Sequence, residues 1–240
     1  VYKRQGIGLR PLDGLLDQED IDRMLEGMRS FGGSVTMRRA REGHDKPYEI
    51  NIALFDALQG TLDSGRDLLQ VDRFICAHAI MLALEGIPAI YIHSFMGSEN
   101  DHQRVEHTGR VRSINRRIWR EEDLYAALED TTRHHKHVFD RMRSLVRLRS
   151  EQPAFHPNAT QFTMHLGTKI FAFWRQSMDR GQSIFCIYNI TAGAQSVNLS
   201  DINLVGTELW KDLISGEEYQ DQQGTMELEP YQAVWLTNRF

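Results

Sequence analysis

The chain has 240 residues, 41% hydrophobic and 25% charged, an ordinary globular balance with room for one large domain or a medium and a small one. A formal net charge of −5 and a pI near 6.1 argue against a general nucleic-acid binder. No apolar run reaches the roughly 18 residues of a spanning helix and no secretory leader is visible, so no membrane partner and a cytoplasmic setting are expected.

The chain opens Val1-Tyr2-Lys3-Arg4-Gln5, without an initiator Met, and then turns into Gly6-Ile7-Gly8-Leu9-Arg10-Pro11. Asp17 or Asp20 can cap a helix that runs to about Arg29, with Ile21, Met24, Leu25 and Met28 on one face. Phe31-Gly32-Gly33 ends it. Residues 34–47 carry Arg38, Arg39, Arg41, Glu42, Asp45 and Lys46, which is loop composition, and the periodicity of residues 48–58 is ambiguous. A helix is predicted over 65–84 from Leu68, Leu69, Val71, Phe74, Ile75, Ala79, Leu82 and Ala83.

Gly86-Ile87-Pro88-Ala89-Ile90-Tyr91-Ile92-His93 has no polar alternation, the pattern of a parallel strand buried on both faces. The polar, Arg- and His-rich segment 94–118 after it reads as a long loop, where α/β barrels place their chemistry. Two helices follow, about 121–128 and 131–150, the second with Val138, Met142, Leu145 and Leu148 on one stripe.

Near residue 155 the period changes from 3.6 to 2. Segments 161–166, 169–175, 183–190, 195–199 and 226–236 read as strands of an antiparallel unit, with Phe171, Phe173, Phe185, Ile187, Val234 and Leu236 expected on one apolar face. Cys76 and Cys186 lie in apolar surroundings and are read as buried free thiols rather than a disulfide.

No GxSxG, P-loop, HExxH or CxxC is present, and Gly6-Ile7-Gly8 lacks the strand and third glycine of a dinucleotide fingerprint. His134, His135 and His137 form a tempting cluster. Neighbours on a helix point apart and only 134 and 137 share a face, so a solvated helix surface and no metal site are expected. Glu121-Glu122 and Glu217-Glu218 read as helix-start or turn charges.

Segment 109–117, Gly109-Arg110-Val111-Arg112-Ser113-Ile114-Asn115-Arg116-Arg117, is the stronger signal. Its arginines either form a solvated basic loop or present planar forks to phosphate or carboxylate oxygens. Tyr48-Glu49-Ile50-Asn51 either lines a sugar site or packs Tyr48 into the core.

Six segments in order resemble the sucrose phosphorylase group of the α-amylase clan, glycoside hydrolase family 13. They are Gly6-Ile7-Gly8-Leu9-Arg10-Pro11-Leu12, Pro47-Tyr48-Glu49-Ile50-Asn51, Phe55-Asp56-Ala57-Leu58, Gly86–Tyr91, Gly97-Ser98-Glu99-Asn100-Asp101 and Arg112-Ser113-Ile114-Asn115-Arg116. Glu229–Leu236 resembles the last strand of the β-sandwich that closes such enzymes. The resemblance implies an α/β then all-β chain: the C-terminal part of a TIM (β/α)8 barrel over 1–153, with 1–5 non-native, and a small antiparallel β-sandwich domain over 154–240. It also implies double displacement with retention, in which a carboxylate attacks the anomeric carbon, a carboxylic acid protonates the leaving group and phosphate releases glucose 1-phosphate.

By the same resemblance Arg112 contacts phosphate or the acceptor, Tyr48 and Glu49 line the acceptor side, and Arg116 belongs to the same binding set. The partners implied are a small sugar and inorganic phosphate, with no cofactor. The Glu49 position is typically Gln in sucrose phosphorylases, and Lys46 stands where they have Asp. These departures point away from sucrose, and the Gly6–Pro11 start with Pro47–Asn51 looks more like the glucosylglycerate phosphorylase branch, so an α-glucoside of the glucosylglycerate or sucrose type is the implied substrate.

A barrel takes at least about 200 residues, more than precede residue 154. The expectation is therefore a C-terminal fragment, inactive alone, whose nucleophile and acid/base lie upstream and whose transition-state Asp position is Gln5. A hydrolase or transglucosidase of the same clan, a non-catalytic sugar-binding module and a gene-model product are the alternatives.

Overall fold

A computed structural model describes residues 7–39, 45–202, 209–219 and 224–239. Arg4 and Gln5, and with them the expectation of a lost catalytic Asp, lie outside the described residues. In chain order the strands are β1 Ile7–Gly8, β2 Ser34–Arg39, β3 Asp45–Asn51, β4 Gly60–Thr61, β5 Gly65–Arg66, β6 Thr160–Met164, β7 Ile170–Gln176, β8 Ser183–Asn189, β9 Gln195–Asn198, β10 Trp210–Asp212, β11 Glu218–Tyr219, β12 Thr225–Leu228 and β13 Ala233–Thr237. The helices are α1 Gln18–Ser30, α2 Leu54–Ala57, α3 Gln70–Ala83, α4 Ile92–Phe95, α5 His102–Thr108, α6 Glu121–Glu129 and α7 His134–Ser150. Among the described residues no helix is long and apolar enough to cross a membrane. The chain forms two compact units, Val1–Val71 with Ile90–Phe139, and Asp72–Ala89 with Asp140–Phe240.

In the first unit, Asp17 caps α1 by accepting the Asp20 N–H at 2.9 Å, and Gly32 at φ +88° turns the chain after it. The core joins Leu25 and Phe31 to Leu9, Ile50, Ile52 and Ala57. Residues 34–39 and 45–47 are not the loop their composition suggested: β2 and β3 form an antiparallel ladder, with β1 on the other side of β3. The register skips Tyr48, since Thr36 pairs with Glu49 and Met37 with Pro47. This bulge accommodates a proline that cannot donate to the ladder and re-aims the extra side chain.

The predicted parallel strand is absent. Residues 87–91 are irregular, Tyr91 caps the short α4, and Ile87 and Ile92 are 84% and 60% exposed. A buried parallel strand needs strands to pair with. Among the described residues none pairs with this run, so it has no ladder to join. The expected long loop after it is largely helical: Asp101 caps α5 through the Arg104 N–H at 2.9 Å, and Gly109 at φ +64° closes it on the Val105 carbonyl.

In the second unit, most of α3 is buried from Arg73 to Ala83; it starts at Gln70, and Leu68, expected within it, is fully exposed. Of the predicted α7 stripe, Val138 in the first unit and Met142 and Leu145 in the second are buried, and Leu148 is half-buried. The six-stranded sheet runs β11-β10-β13-β8-β7-β6 and the two-stranded one β12-β9, all antiparallel. Segment 226–236 is two strands parted by a turn at Tyr231, φ +55°.

The two sheets share a core of Ala172, Phe185, Ile187, Val197, Trp210, Met226, Leu228, Val234 and Leu236. The expected single apolar face is wrong in detail. Phe173 pairs with Cys186 and Cys186 with Trp235, whereas Ala172 pairs with Ile187 and Ile187 with Val234. Directly opposed residues share a face, so Phe171 and Phe173 lie on the side opposite Phe185, Ile187, Val234 and Leu236. Both faces are apolar. Cys76 and Cys186 are buried free thiols, as read from the sequence.

Candidate functional site

The polar residues singled out in the sequence gather in the first unit. Ile52, Ala53 and Asp56 follow β3, and segment 98–100 is fastened to them. The Asn100 N–H donates to Asp56 Oδ2 at 2.6 Å, and Asn100 Oδ1 accepts the Ala53 N–H at 2.7 Å. Burial is the largest influence on Asp56 and raises its carboxyl pKa above the usual value, against the Asn100 bond, which lowers it.

Arg112 stands on a single helical turn, residues 111–113, just after the Gly109 cap. Ile114 and Asn115 behind it are buried. The Ile114 carbonyl accepts the Asp101 N–H at 2.7 Å, and the Asn115 carbonyl accepts the Tyr91 hydroxyl at 2.9 Å. These bonds tie the turn to Asp101 and Tyr91, and its arginine reaches Glu49. Arg112 Nη2 lies 2.7 Å and Nε 2.8 Å from Glu49 Oε2. Two of the expected site residues are thus in direct contact.

Tyr48 is 37% exposed, so it is not a core residue. It lines a cleft of about 400 Å³ together with Arg10, Asp13, Arg38, Arg39, Lys46 and Pro47, and the Arg38 guanidinium lies 5.5 Å from its ring centre. Four cations and one carboxylate around an aromatic ring favour an anion with an apolar or sugar-like body. Arg10, which entered the sequence reading only within the Gly6–Leu12 segment, joins the site through this arrangement. The signal was present in Arg38, Arg39 and Lys46, but only the hairpin register brings β2 and β3 side by side. Arg116 is exposed, and among the described residues no hydrogen bond or ion pair joins it to Arg112, Glu49 or Tyr48. Arg117 stacks on Trp119 at 4.1 Å.

The histidines are not a solvated surface. His135 is buried with Nδ1 2.9 Å from the Met96 carbonyl, and His134 is partly buried with Nε2 3.0 Å from the Gly97 carbonyl. Their rings are 4.0 Å apart, although they are chain neighbours. His137 is exposed and bonds the Thr131 carbonyl.

A largely helical part followed by a two-sheet antiparallel unit is an order of elements shared with solved structures of amylase-type carbohydrate enzymes. Residues 162–235 match the maltogenic amylase C-terminal domain family. The glucosylglycerate phosphorylase of Escherichia coli strain K12 is 34% identical over 232 residues, covering 96% of this chain and 39% of that protein. The glucosylglycerate phosphorylase of Allomeiothermus silvanus is also 34% identical, covering 96% and 38%. The crystal structure of sucrose 6F-phosphate phosphorylase from Thermoanaerobacter thermosaccharolyticum superposes with a TM-score of 0.63 at 22% identity, over 77% of this chain and 35% of that one. The chain is a relative of the glucosylglycerate and sucrose phosphorylases of the α-amylase clan, aligned with their C-terminal part. It spans 39% of the length of the Escherichia coli relative.

Proposed function

We propose that this chain supplies the acceptor-binding side of a retaining glycoside phosphorylase that cleaves an α-glucoside of the glucosylglycerate type with phosphate, giving glucose 1-phosphate. In this reading residues 1–153 belong to a (β/α)8 barrel and residues 154–240 close it. Arg112 contacts the phosphate or the acceptor, Tyr48 and Glu49 line the acceptor side, and Arg116 adds positive charge. The carboxylates of the double displacement are assigned to no residue of this chain, which is inactive by itself.

One observation carries the reading: the basic cleft beside Tyr48, in a chain 34% identical over 232 residues to a glucosylglycerate phosphorylase. Phosphate and glycerate are both anions. A cluster of guanidinium groups holds either through charge-assisted hydrogen bonds. Arg112 and Glu49 are not among the residues that line this cleft; Glu49 occupies two of the Arg112 donors, so an anion that reaches Arg112 competes with a carboxylate already in place.

The test is calorimetric titration of the chain with inorganic phosphate and with glycerate, together with an assay for glucose 1-phosphate from glucosylglycerate and phosphate. Saturable anion binding that Arg112→Ala weakens, without turnover, supports the reading. Unchanged binding in that variant removes Arg112 from the site, and turnover by the chain overturns its inactivity.

A further inference from the structure

Glu99, His134 and His135 have no part in the reading above, yet one ligand atom from each lies within 4.8 Å of the other two. Both imidazoles already have one ring nitrogen committed: His134 Nε2 to the Gly97 carbonyl at 3.0 Å and His135 Nδ1 to the Met96 carbonyl at 2.9 Å. A carbonyl can only accept, so those nitrogens carry the protons. His134 Nδ1 and His135 Nε2 keep their lone pairs. A backbone carbonyl that fixes the tautomer and the ring plane is the support found behind metal-ligating histidines.

The rings are also held sideways. Phe55 stacks on His134 at 4.4 Å and 15°, and Trp119 meets His135 edge-on at 5.2 Å. Trp119 is itself anchored by its indole N–H on Ser98 Oγ at 3.1 Å. Glu99 is exposed, while the backbone beside it is fixed by the Asn100 bonds to Asp56 and Ala53.

We propose that Glu99, His134 and His135 form a binding site for a divalent transition cation of the zinc class, with two imidazole nitrogens and one carboxylate oxygen as ligands and the remaining coordination open to water. Two imidazoles select against magnesium and calcium, which prefer all-oxygen shells. Ligand atoms on one zinc ion stand roughly 3.4 Å apart, given bonds of about 2.1 Å. Glu99 therefore closes inward on binding. The ion links the start of α7 to segment 96–99 and raises the stability of that region by binding only the folded chain.

The experiment uses the full 240-residue chain, stripped with chelator and titrated with zinc chloride by calorimetry. One ion per chain is expected, with affinity falling at least about tenfold in Glu99→Gln. That exposed position should leave the metal-free melting temperature unchanged. Imidazole nitrogen NMR on the unsubstituted chain reads the site without any variant: zinc should move His134 Nδ1 and His135 Nε2. No saturable binding, equal binding in Glu99→Gln, or shifts confined to other histidines would each overturn the assignment.

Discussion

Arg112 grips Glu49 from 63 residues further along the chain, and both of its donating nitrogens fall on one oxygen, Oε2, at 2.7 and 2.8 Å. The grip is lopsided in exposure, with the arginine side chain 53% exposed and the glutamate 18%. An ion pair with one wet partner contributes less than about 1 kcal/mol to stability. Its importance is that it occupies donors an anion would use. Glu49→Gln should therefore leave the urea midpoint nearly unchanged while phosphate binds the chain several-fold more tightly. Weaker or equal phosphate binding would mean that Arg112 faces no anion.

That pairing shows what the sequence could and could not disclose. Arg112 and Glu49 were each conspicuous by residue type, but no local pattern joins positions so far apart. The helices α1 and α7 were legible from one apolar stripe each, and the strands β6 to β9 from short runs bounded by turn signals such as Gly167-Thr168 and Arg180-Gly181. The β2–β3 hairpin was not, because Arg38, Arg39, Asp45 and Lys46 are exposed and leave no apolar alternation to read. The run at 87–92 misled for the opposite reason: hydrophobic residues cannot make a strand without a ladder to join. Helical-wheel reasoning failed for His134 and His135 because they sit in the first turn of α7, where side chains turn back to the carbonyls of Met96 and Gly97.

Arg175 on β7 is fully buried, and its guanidinium is spent on three backbone carbonyls: Ala83 at 2.6 Å, His156 at 2.9 Å and Ala159 at 3.3 Å. Arg175→Met keeps much of the bulk but strands all three acceptors. A loss of about 3 kcal/mol is expected in chemical denaturation. Arg175→Lys should cost nearly as much, since an ammonium cannot reproduce the planar fork. A change below about 0.5 kcal/mol in both, the range of ordinary surface substitutions, would show that water replaces the guanidinium there.

Asp212 is equally hidden, and its carboxylate is an internal cap rather than an acid–base group. Oδ1 accepts the N–H groups of Trp235 at 2.8 Å and Ile214 at 3.1 Å, and Oδ2 accepts that of Ser215 at 2.9 Å. Asp212→Asn places an NH2 against at least one of these donors. Destabilisation by about 2 kcal/mol is expected. Near-UV circular dichroism should report it as disorder around Trp235, and an unchanged melting temperature would refute the capping role.

Three histidines titrate unusually. Burial depresses His78, His93 and His135 below the ordinary value of 6.5, and for His93 the charge of Arg117 adds to the effect. Below that pH the unfolded chain takes up protons that the folded chain refuses. Stability is therefore full above about pH 6.5 and falls as the pH drops toward the depressed folded values. Asp56, raised by burial, acts with the opposite sign in the more acidic range above the ordinary carboxyl value of 3.8. Urea midpoints measured in chelator should fall between pH 7.5 and pH 5.5, and His78→Gln should flatten part of that slope. A pH-independent midpoint would mean that the three rings take up protons equally well folded and unfolded.

The two thiols supply a reporter of opening. Cys76 is buried in α3 with its Sγ 3.7 Å from the Asn189 carbonyl, and burial pushes its pKa up to about 12. Cys186, on β8, is completely buried and pushed higher still. A thiol reacts as its thiolate, so both are protected twice, by access and by protonation state. An aromatic disulfide reagent at pH 8 should label neither in the native chain within minutes and both in denaturant. Because the two sulfurs sit in the same unit, their labelling rates in low urea should rise together and track its unfolding. Fast labelling of Cys76 alone would instead place a local opening at α3, with the sheet beneath Cys186 still closed.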